Sequence, residues 1–258
     1  MISIISPAKS MDFDSEAPGN ESSNLNFVTK TSSLINRLQS LSAHQLAKMM
    51  SVSKKIADLN HERFQTYKTL PEKSAIFAYT GDVYRNMETQ TLSPEMLGFG
   101  QNHLRIVSAL YGLLRPLDKI KAYRLEMITR LPGIAPKGLA TFWKKQVTEQ
   151  LNTELANHQN KFLINIASNE YAAVIDETNL NAQMINIHFR EIRDGAVKNI
   201  ALNSKRARGM LADYIIRNGL DSPEDIKLFN KGGYSLNQIM SDDNNFFFVR
   251  PTLPNQVL

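Results

Sequence analysis

A chain of 258 residues, 42% hydrophobic and 21% charged, carries enough apolar material for a sizeable core. Its composition excludes a disordered tail or a collagen-like repeat. It has no cysteine, which removes disulfides, thiolate nucleophiles and cysteine-ligated zinc or iron–sulfur centres, and its net charge of +5 suits a polyanionic partner without requiring one.

Residues 2–6 read as a buried strand, too short for the core of a signal peptide and with no basic region before it. No other apolar run approaches the ~20 residues that span a bilayer, so a cytoplasmic protein with no membrane contact is expected. Residues 14–26, rich in Ser, Asn, Pro and Gly, read as a loop. Apolar positions at helical spacing then predict three helices over 27–41, 43–50 and 53–67. The apolar run 75–80 reads as a second strand. Ser93-Pro94-Glu95 opens a helix with an N-cap followed by proline. A further helical stretch is expected to end near Tyr111-Gly112, where glycine supplies a left-handed cap and Pro116 forbids continuation. Residues 139–158 form an amphipathic helix holding the single tryptophan, Trp143, and lead into the apolar strand 162–167. Strands over 183–189 and 198–203 flank Arg193-Asp194-Gly195, a hairpin signal. A helix over 204–218, a turn at Lys231-Gly232-Gly233 and a strand over 245–250 complete the chain. The expected fold is α/β: a mixed central sheet with surrounding helices, one domain over 1–258, with residues 27–67 as a helical lobe.

Four polar segments follow β-rich stretches: Ser6-Pro7-Ala8-Lys9, Gly81-Asp82-Val83-Tyr84, Ser168-Asn169-Glu170-Tyr171 and Ser204-Lys205-Arg206-Ala207-Arg208-Gly209. Open α/β sheets bind ligands outside the carboxyl ends of their strands, so one shared polar cleft is expected. Ser204 reads as an N-cap that places Lys205, Arg206 and Arg208 in a helix's first turn. Cations there oppose the helix dipole by about 0.3–1 kcal/mol each, and a bound anion would relieve them.

The motifs Ser6-Pro7-Ala8-Lys9, Gly81-Asp82-Val83-Tyr84, Leu110-Tyr111-Gly112-Leu113-Leu114-Arg115-Pro116-Leu117-Asp118, Tyr123-Arg124-Leu125-Glu126-Met127 and Lys205-Arg206-Ala207-Arg208-Gly209 together resemble, in order, the YaaA-type peroxide-stress family across nearly the whole chain. The resemblance implies a cytoplasmic bacterial protein that limits oxidative damage during hydrogen peroxide stress and is associated with lowering free intracellular iron. It further implies double-stranded DNA binding by an α/β body with a basic cleft and a helix-hairpin-helix element of the kind found in DNA glycosylases. The segment from Met49 through Ser51, Ser53, Lys54 and Lys55 to Ala57 fits such a hairpin, with serines where glycines are usual. Its backbone N–H groups and lysines would hold phosphates without reading sequence.

Two readings remain open at this point. In the first, Lys9, Arg105, Arg115, Lys205, Arg206 and Arg208 line a basic DNA cleft and Lys54 and Lys55 add a hairpin contact. In the second, the cleft belongs to an enzyme acting on a nucleobase, nucleoside or damaged DNA. Lys9 would then be nucleophile or base, with Asp82 or Glu170 as its acid–base partner, and a small anionic substrate would occupy the site. Each residue also has a plainer role. Lys9 could be a solvated loop residue and Asp12 an ion-pair partner. Asp82 could be a helix cap beside Tyr84, and Glu170 a first-turn acid next to Ser168. Arg124 with Glu126, and Arg115 with Asp118, could be salt bridges, and Ser6 simply ends its strand. Asn165 interrupts an apolar strand and needs hydrogen-bond partners whichever reading holds. His44, His61, His103, His158 and His188 show no metal-ligand spacing, and Gly98-Phe99-Gly100 lacks the remainder of a nucleotide motif, so neither metal nor cofactor is expected.

Overall fold

The structure is a computed structural model and describes residues 1–19 and 21–251; residue 20 of the expected 14–26 loop lies outside them. Strand β1 (Ile2–Ile5) is wholly buried. Three helices follow, α1 (Val28–Gln39), α2 (Ala43–Met50) and α3 (Lys54–Gln65), matching the three periodic stretches. Leu34, Ile35 and Leu38 turn the buried face of α1 inward. Ser42 caps α2 by a capping box with Gln45.

The run 75–80 is a helical turn rather than a strand. After β2 (Lys73–Ser74), α4 (Ala75–Ala78) forms, with its first N–H groups donating to Asp118 and Pro116 carbonyls at 2.9 Å each. The turn is buried on all sides, so no alternation marks its period. Next come α5 (Asp82–Arg85) and α6 (Pro94–His103), the latter capped by Ser93 Oγ. The chain turns to strand at Leu104, earlier than the helical stretch expected to reach Tyr111. The result is β3 (Leu104–Ser108) and β4 (Gly112–Leu114), a hairpin whose Gly112 holds φ +76°. All five residues of β3 are buried beside β1, and that burial decides the conformation.

Strand β5 (Lys119–Ile120) pairs with β2. The helix α7 (Leu139–Leu155) buries Trp143, Val147, Leu151 and Leu155, and β6 (Phe162–Asn165) and α8 (Asn169–Ala172) follow. Long β7 (Gln183–Arg193) and short β8 (Ala196–Lys198) form the expected hairpin, with Asp194 and Gly195 both at positive φ. The expected strand over 198–203 stops at Lys198, and α9 (Ala201–Arg217) begins before Ser204. Ser204 is therefore no cap: it is buried inside the helix, with its Oγ 2.7 Å from Asn199 Oδ1. Lys205, Arg206 and Arg208 lie past the first turn, where the dipole has decayed, so the expected clash with it does not occur. Finally α10 (Pro223–Ile226), β9 (Ser235–Leu236) and β10 (Asn245–Pro251) close the described chain.

The main sheet runs β4-β3-β1-β6-β7-β10-β9, with β8 added on β7. The neighbours β3, β1, β6, β7 and β10 are parallel, while β4, β8 and β9 pair antiparallel. The carboxyl ends of β1 and β6 thus share one edge. Strand β7 meets Asn165 at Asn186 and then continues past that edge alongside β10.

Candidate functional site

Several of the expected site residues come together at this edge. Ser6, just after β1, accepts a 2.9 Å hydrogen bond from Ser168 N–H and donates to Ser168 Oγ at 3.3 Å. Its carbonyl accepts from the Tyr84 hydroxyl at 3.0 Å. Lys9 Nζ is 3.0 Å from Glu126 Oε2 and Arg124 Nη2 is 3.1 Å from Glu126 Oε1. One carboxylate is therefore shared by two cations. Glu170, in the first turn of α8, accepts from Ile128 N–H at 3.2 Å, tying α8 to the segment that carries Arg124 and Glu126. Asn165 is clamped: its Nδ2 donates to Asn186 Oδ1 at 2.8 Å and its Oδ1 accepts from Ala167 N–H at 3.0 Å.

The cleft residues differ in how free they are. Tyr84 is buried, which pushes its phenol well above the usual tyrosine range, and it acts as a fixed donor. Lys9 is 63% exposed. Asp82 opens α5 behind Gly81, where a carboxylate suits the helix dipole. Arg124 keeps a solvent-shielded Nε that meets no hydrogen-bond acceptor. Burial works against the charge of Glu126, but the hydrogen bond and charge of Lys9, and then those of Arg124, outweigh it. Together they hold the carboxyl below the usual glutamate range. A depressed folded value means this pairing supports the fold above the unfolded glutamate pKa of about 4.3 and is lost as pH falls through the folded value. We expect Glu126 to titrate below model glutamate by NMR and to move up in Lys9→Met; an unmoved value would show that Lys9 does not hold it.

Other expected cleft residues lie elsewhere. Arg105 is 4% exposed and bonds Glu154 at 2.6 Å and the carbonyls of Gln101 and Leu104 at 2.9 and 2.6 Å. It is committed to the interior, away from any cleft. Arg115 is held by the buried Asp118 at 3.0 Å and by the Asn24 carbonyl at 2.8 Å. Asp12 accepts from Asp14 N–H, Ser15 N–H and Ser15 Oγ, and lies 3.6 Å from Lys73 Nζ. Those hydrogen bonds, the Ser15 hydroxyl first, keep it far below the usual carboxylate range. On α3, Lys54 pairs with Asp58 at 2.6 Å while Lys55 is exposed. Ser51, the residue that ends α2 before α3, holds φ +52°, a left-handed conformation that serine adopts at some strain.

Several arrangements join residues too far apart for spacing to reveal. Tyr79 and Tyr123 hydroxyls are 2.8 Å apart, Ser108 Oγ is 2.7 Å from Tyr123, and the rings of Tyr79 and Tyr84 are 5.2 Å apart. Burial pushes the Tyr123 phenol up to about 12, so this network is neutral at physiological pH. At the amino ends of β1, β3 and β6, His103, His158 and Asp221 bring ligand-type atoms within 4.8 Å of one another. The Met1 ammonium donates to Asp221 at 2.5 Å and lies 3.1 Å from His158 Nδ1, while the Met1 carbonyl meets His103 Nδ1 at 2.9 Å. The charge of Arg190, on β7, adds to burial in lowering Arg208 below the usual arginine range. The alternation Asn186, His188, Arg190 along β7 is the one sequence signal that could have placed Arg190 on this face.

Among the described residues, no helix is long and apolar enough to cross a membrane. The family description of the peroxide stress protein YaaA matches residues 1–240. A UPF0246 protein of Rickettsia peacockii is 44% identical over 250 residues, covering 97% of this chain and 100% of the relative. Those of Rickettsia felis and Rickettsia bellii are 43% and 41% identical over the same shares.

Proposed function

The chain belongs to the peroxide stress protein YaaA family, and on that premise we propose that it acts in the cytoplasm by binding double-stranded DNA and limiting its oxidative damage. The observation that carries this reading is a set of cations with no anionic partner among the described residues: Lys205 and Arg206 on the outer side of α9, with Arg208 one step further on. Lys55 on α3 supplies a second such charge, beside the left-handed turn at Ser51. Phosphate contacts of this kind bind backbone without reading bases. The lowering of free iron associated with the family is taken as a consequence of DNA occupancy rather than of a metal centre, because His103, His158 and Asp221 already bond Met1.

Binding to a fluorescent duplex across a salt series tests the proposal. The log–log slope is expected at about −0.9 per phosphate neutralised. Lys205→Ala/Arg206→Ala should shallow it by roughly two phosphates' worth without changing the folded-state spectrum. Lys54→Ala/Lys55→Ala should weaken binding separately. A salt-insensitive interaction, or full affinity in both double variants, would refute the reading. A second reading, an enzyme acting on a nucleobase, nucleoside or damaged DNA, draws its support from the 3.0 Å Lys9–Glu126 contact beside Ser6 and Ser168. Acid–base chemistry needs such a pair, and turnover of damaged duplex that disappears in Glu126→Gln would favour it.

A further inference from the structure

Five of the eight tyrosines stand in one file through the interior. At the cleft edge Tyr84 gives its hydroxyl to the Ser6 carbonyl at 3.0 Å, and its ring lies 5.2 Å from that of Tyr79. The Tyr79 and Tyr123 hydroxyls are 2.8 Å apart, and Ser108 Oγ is 2.7 Å from that of Tyr123. The Tyr123 ring meets Tyr111 edge-on at 5.3 Å, and the Tyr111 hydroxyl lies 2.9 Å from that of Tyr67. Tyr84, Tyr79, Tyr123 and Tyr111 are each at most 4% exposed. Tyr67, half-buried on the short turn Tyr67–Thr69 that follows α3, is the member of the file that reaches solvent.

Core packing alone does not call for these hydroxyls. Phenylalanine fills nearly the same volume and leaves no polar atom to satisfy. Off the file, Tyr234 gives its hydroxyl to the Glu191 carboxylate at 3.2 Å, and Trp143 gives its Nε1–H to the Ala109 carbonyl at 2.9 Å. Within the file, phenols meet phenols, so each residue touches the next through a hydrogen bond or a ring contact. In a chain without cysteine, phenol and indole are the side chains that give up a single electron most readily. Electron transfer weakens steeply with distance, and every step of this file is a contact.

We propose that Tyr84, Tyr79, Tyr123, Tyr111 and Tyr67 form a relay that carries a one-electron oxidation from the cleft edge to the protein surface. The oxidant is a radical of the hydroxyl class, which takes one electron from Tyr84 and becomes hydroxide. The electron deficit then moves outward as each phenol gives an electron to the one before it. Burial holds the Tyr84, Tyr79 and Tyr111 phenols well above the usual tyrosine range, so the interior residues keep their protons and end as they began. Tyr67 gives its electron to Tyr111 and its phenolic proton to water, and is left as a phenoxyl radical. A thiol in solution returns a hydrogen atom to that oxygen and becomes a thiyl radical. The relay does not require duplex binding.

Because the chain has no cysteine, Ser10→Cys gives a single attachment point for a ruthenium photo-oxidant on the full-length protein. Ser10 is exposed, and its carbonyl accepts from Thr80 N–H at 3.1 Å, next to Tyr79. After flash oxidation of the tethered ruthenium, electron paramagnetic resonance should detect a tyrosyl radical that added glutathione removes. Tyr67→Phe should abolish this quenchable radical. Tyr111→Phe and Tyr123→Phe should abolish it as well, although Tyr67 is still present in both. Tyr214→Phe, off the file, should leave it unchanged. The same ruthenium complex free in solution should still oxidise Tyr67 directly in Tyr111→Phe, which separates a cut relay from a misfolded protein. A Tyr67 radical that survives Tyr111→Phe and Tyr123→Phe under the tethered oxidant overturns the relay, as does the absence of any radical on Tyr67. Lys205→Ala/Arg206→Ala should keep the radical while losing duplex affinity, so failure of one reading is distinguishable from failure of the other.

Discussion

Glu154→Ala should destabilise this protein by about 3–5 kcal/mol, the usual cost of stripping one partner from a buried ion pair. For a chain of this size that corresponds to a fall on the order of 10 °C in melting temperature. Arg105 is the reason. Its guanidinium is nearly sealed from solvent and bonds Glu154 at 2.6 Å, and two backbone carbonyls accept from its Nη1. Burial depresses it, and the charge of Glu154 acts in the opposite direction. Alanine at 154 removes the countercharge and leaves the cation where water cannot reach it. Arg105→Met/Glu154→Met should recover most of the loss, since the desolvation cost disappears together with the attraction. Thermal denaturation of both variants, with duplex affinity measured on the folded fraction, separates a structural role from a binding one. A loss under about 1 kcal/mol in Glu154→Ala would place the pair in a far more solvated setting than its geometry indicates.

Arg105 also marks where sequence reading stops. Its charge is visible in the chain, but its partner is 49 residues away, and no local pattern says which of several arginines a distant glutamate will take. Arg124 and Glu126 are two residues apart, so their pairing was legible as one of the open alternatives; that Lys9 joins the same carboxylate depended on the fold. The hairpin at Asp194-Gly195 follows local backbone rules and could be read directly, whereas the positive φ of Ser51 goes against them. The run 75–80 could not, because a segment buried on every side gives neither a strand's alternation nor a helix's stripe. The start of α9 was misplaced for a related reason. Ser204 looks like a cap, but its hydroxyl serves Asn199 and its side chain is buried, so tertiary packing overrode a local signal.

The packing of α9 leads to the second large effect. Gly209→Ala should cost about 2–3 kcal/mol, the upper end of overpacking, although alanine in a helix interior is otherwise favoured over glycine by about 1 kcal/mol. A Cβ at Gly209 would lie 2.1 Å from the Val83 carbonyl oxygen and 2.9 Å from Asn86 Cβ. The first of these is backbone and has no rotamer to move to. Gly81, at the start of α5, is also crowded: its Cβ would meet Ala8 Cβ at 2.8 Å. The Ser6–Lys9 segment, α5 and α9 are thus in direct succession, each spaced from the next by a missing methyl group. Pushing α9 outward displaces Lys205, Arg206 and Arg208, so on the proposed reading duplex affinity should fall along with stability. Gly98→Ala in α6 is the matched control, because nothing lies within 4 Å of its Cβ, and there helix propensity should win and raise the melting temperature slightly. If both substitutions stabilise the protein, α9 does not rest on α5 as closely as the geometry requires. If Gly209→Ala alone destabilises and weakens binding, close backbone contact is what holds the cations of α9 at the cleft.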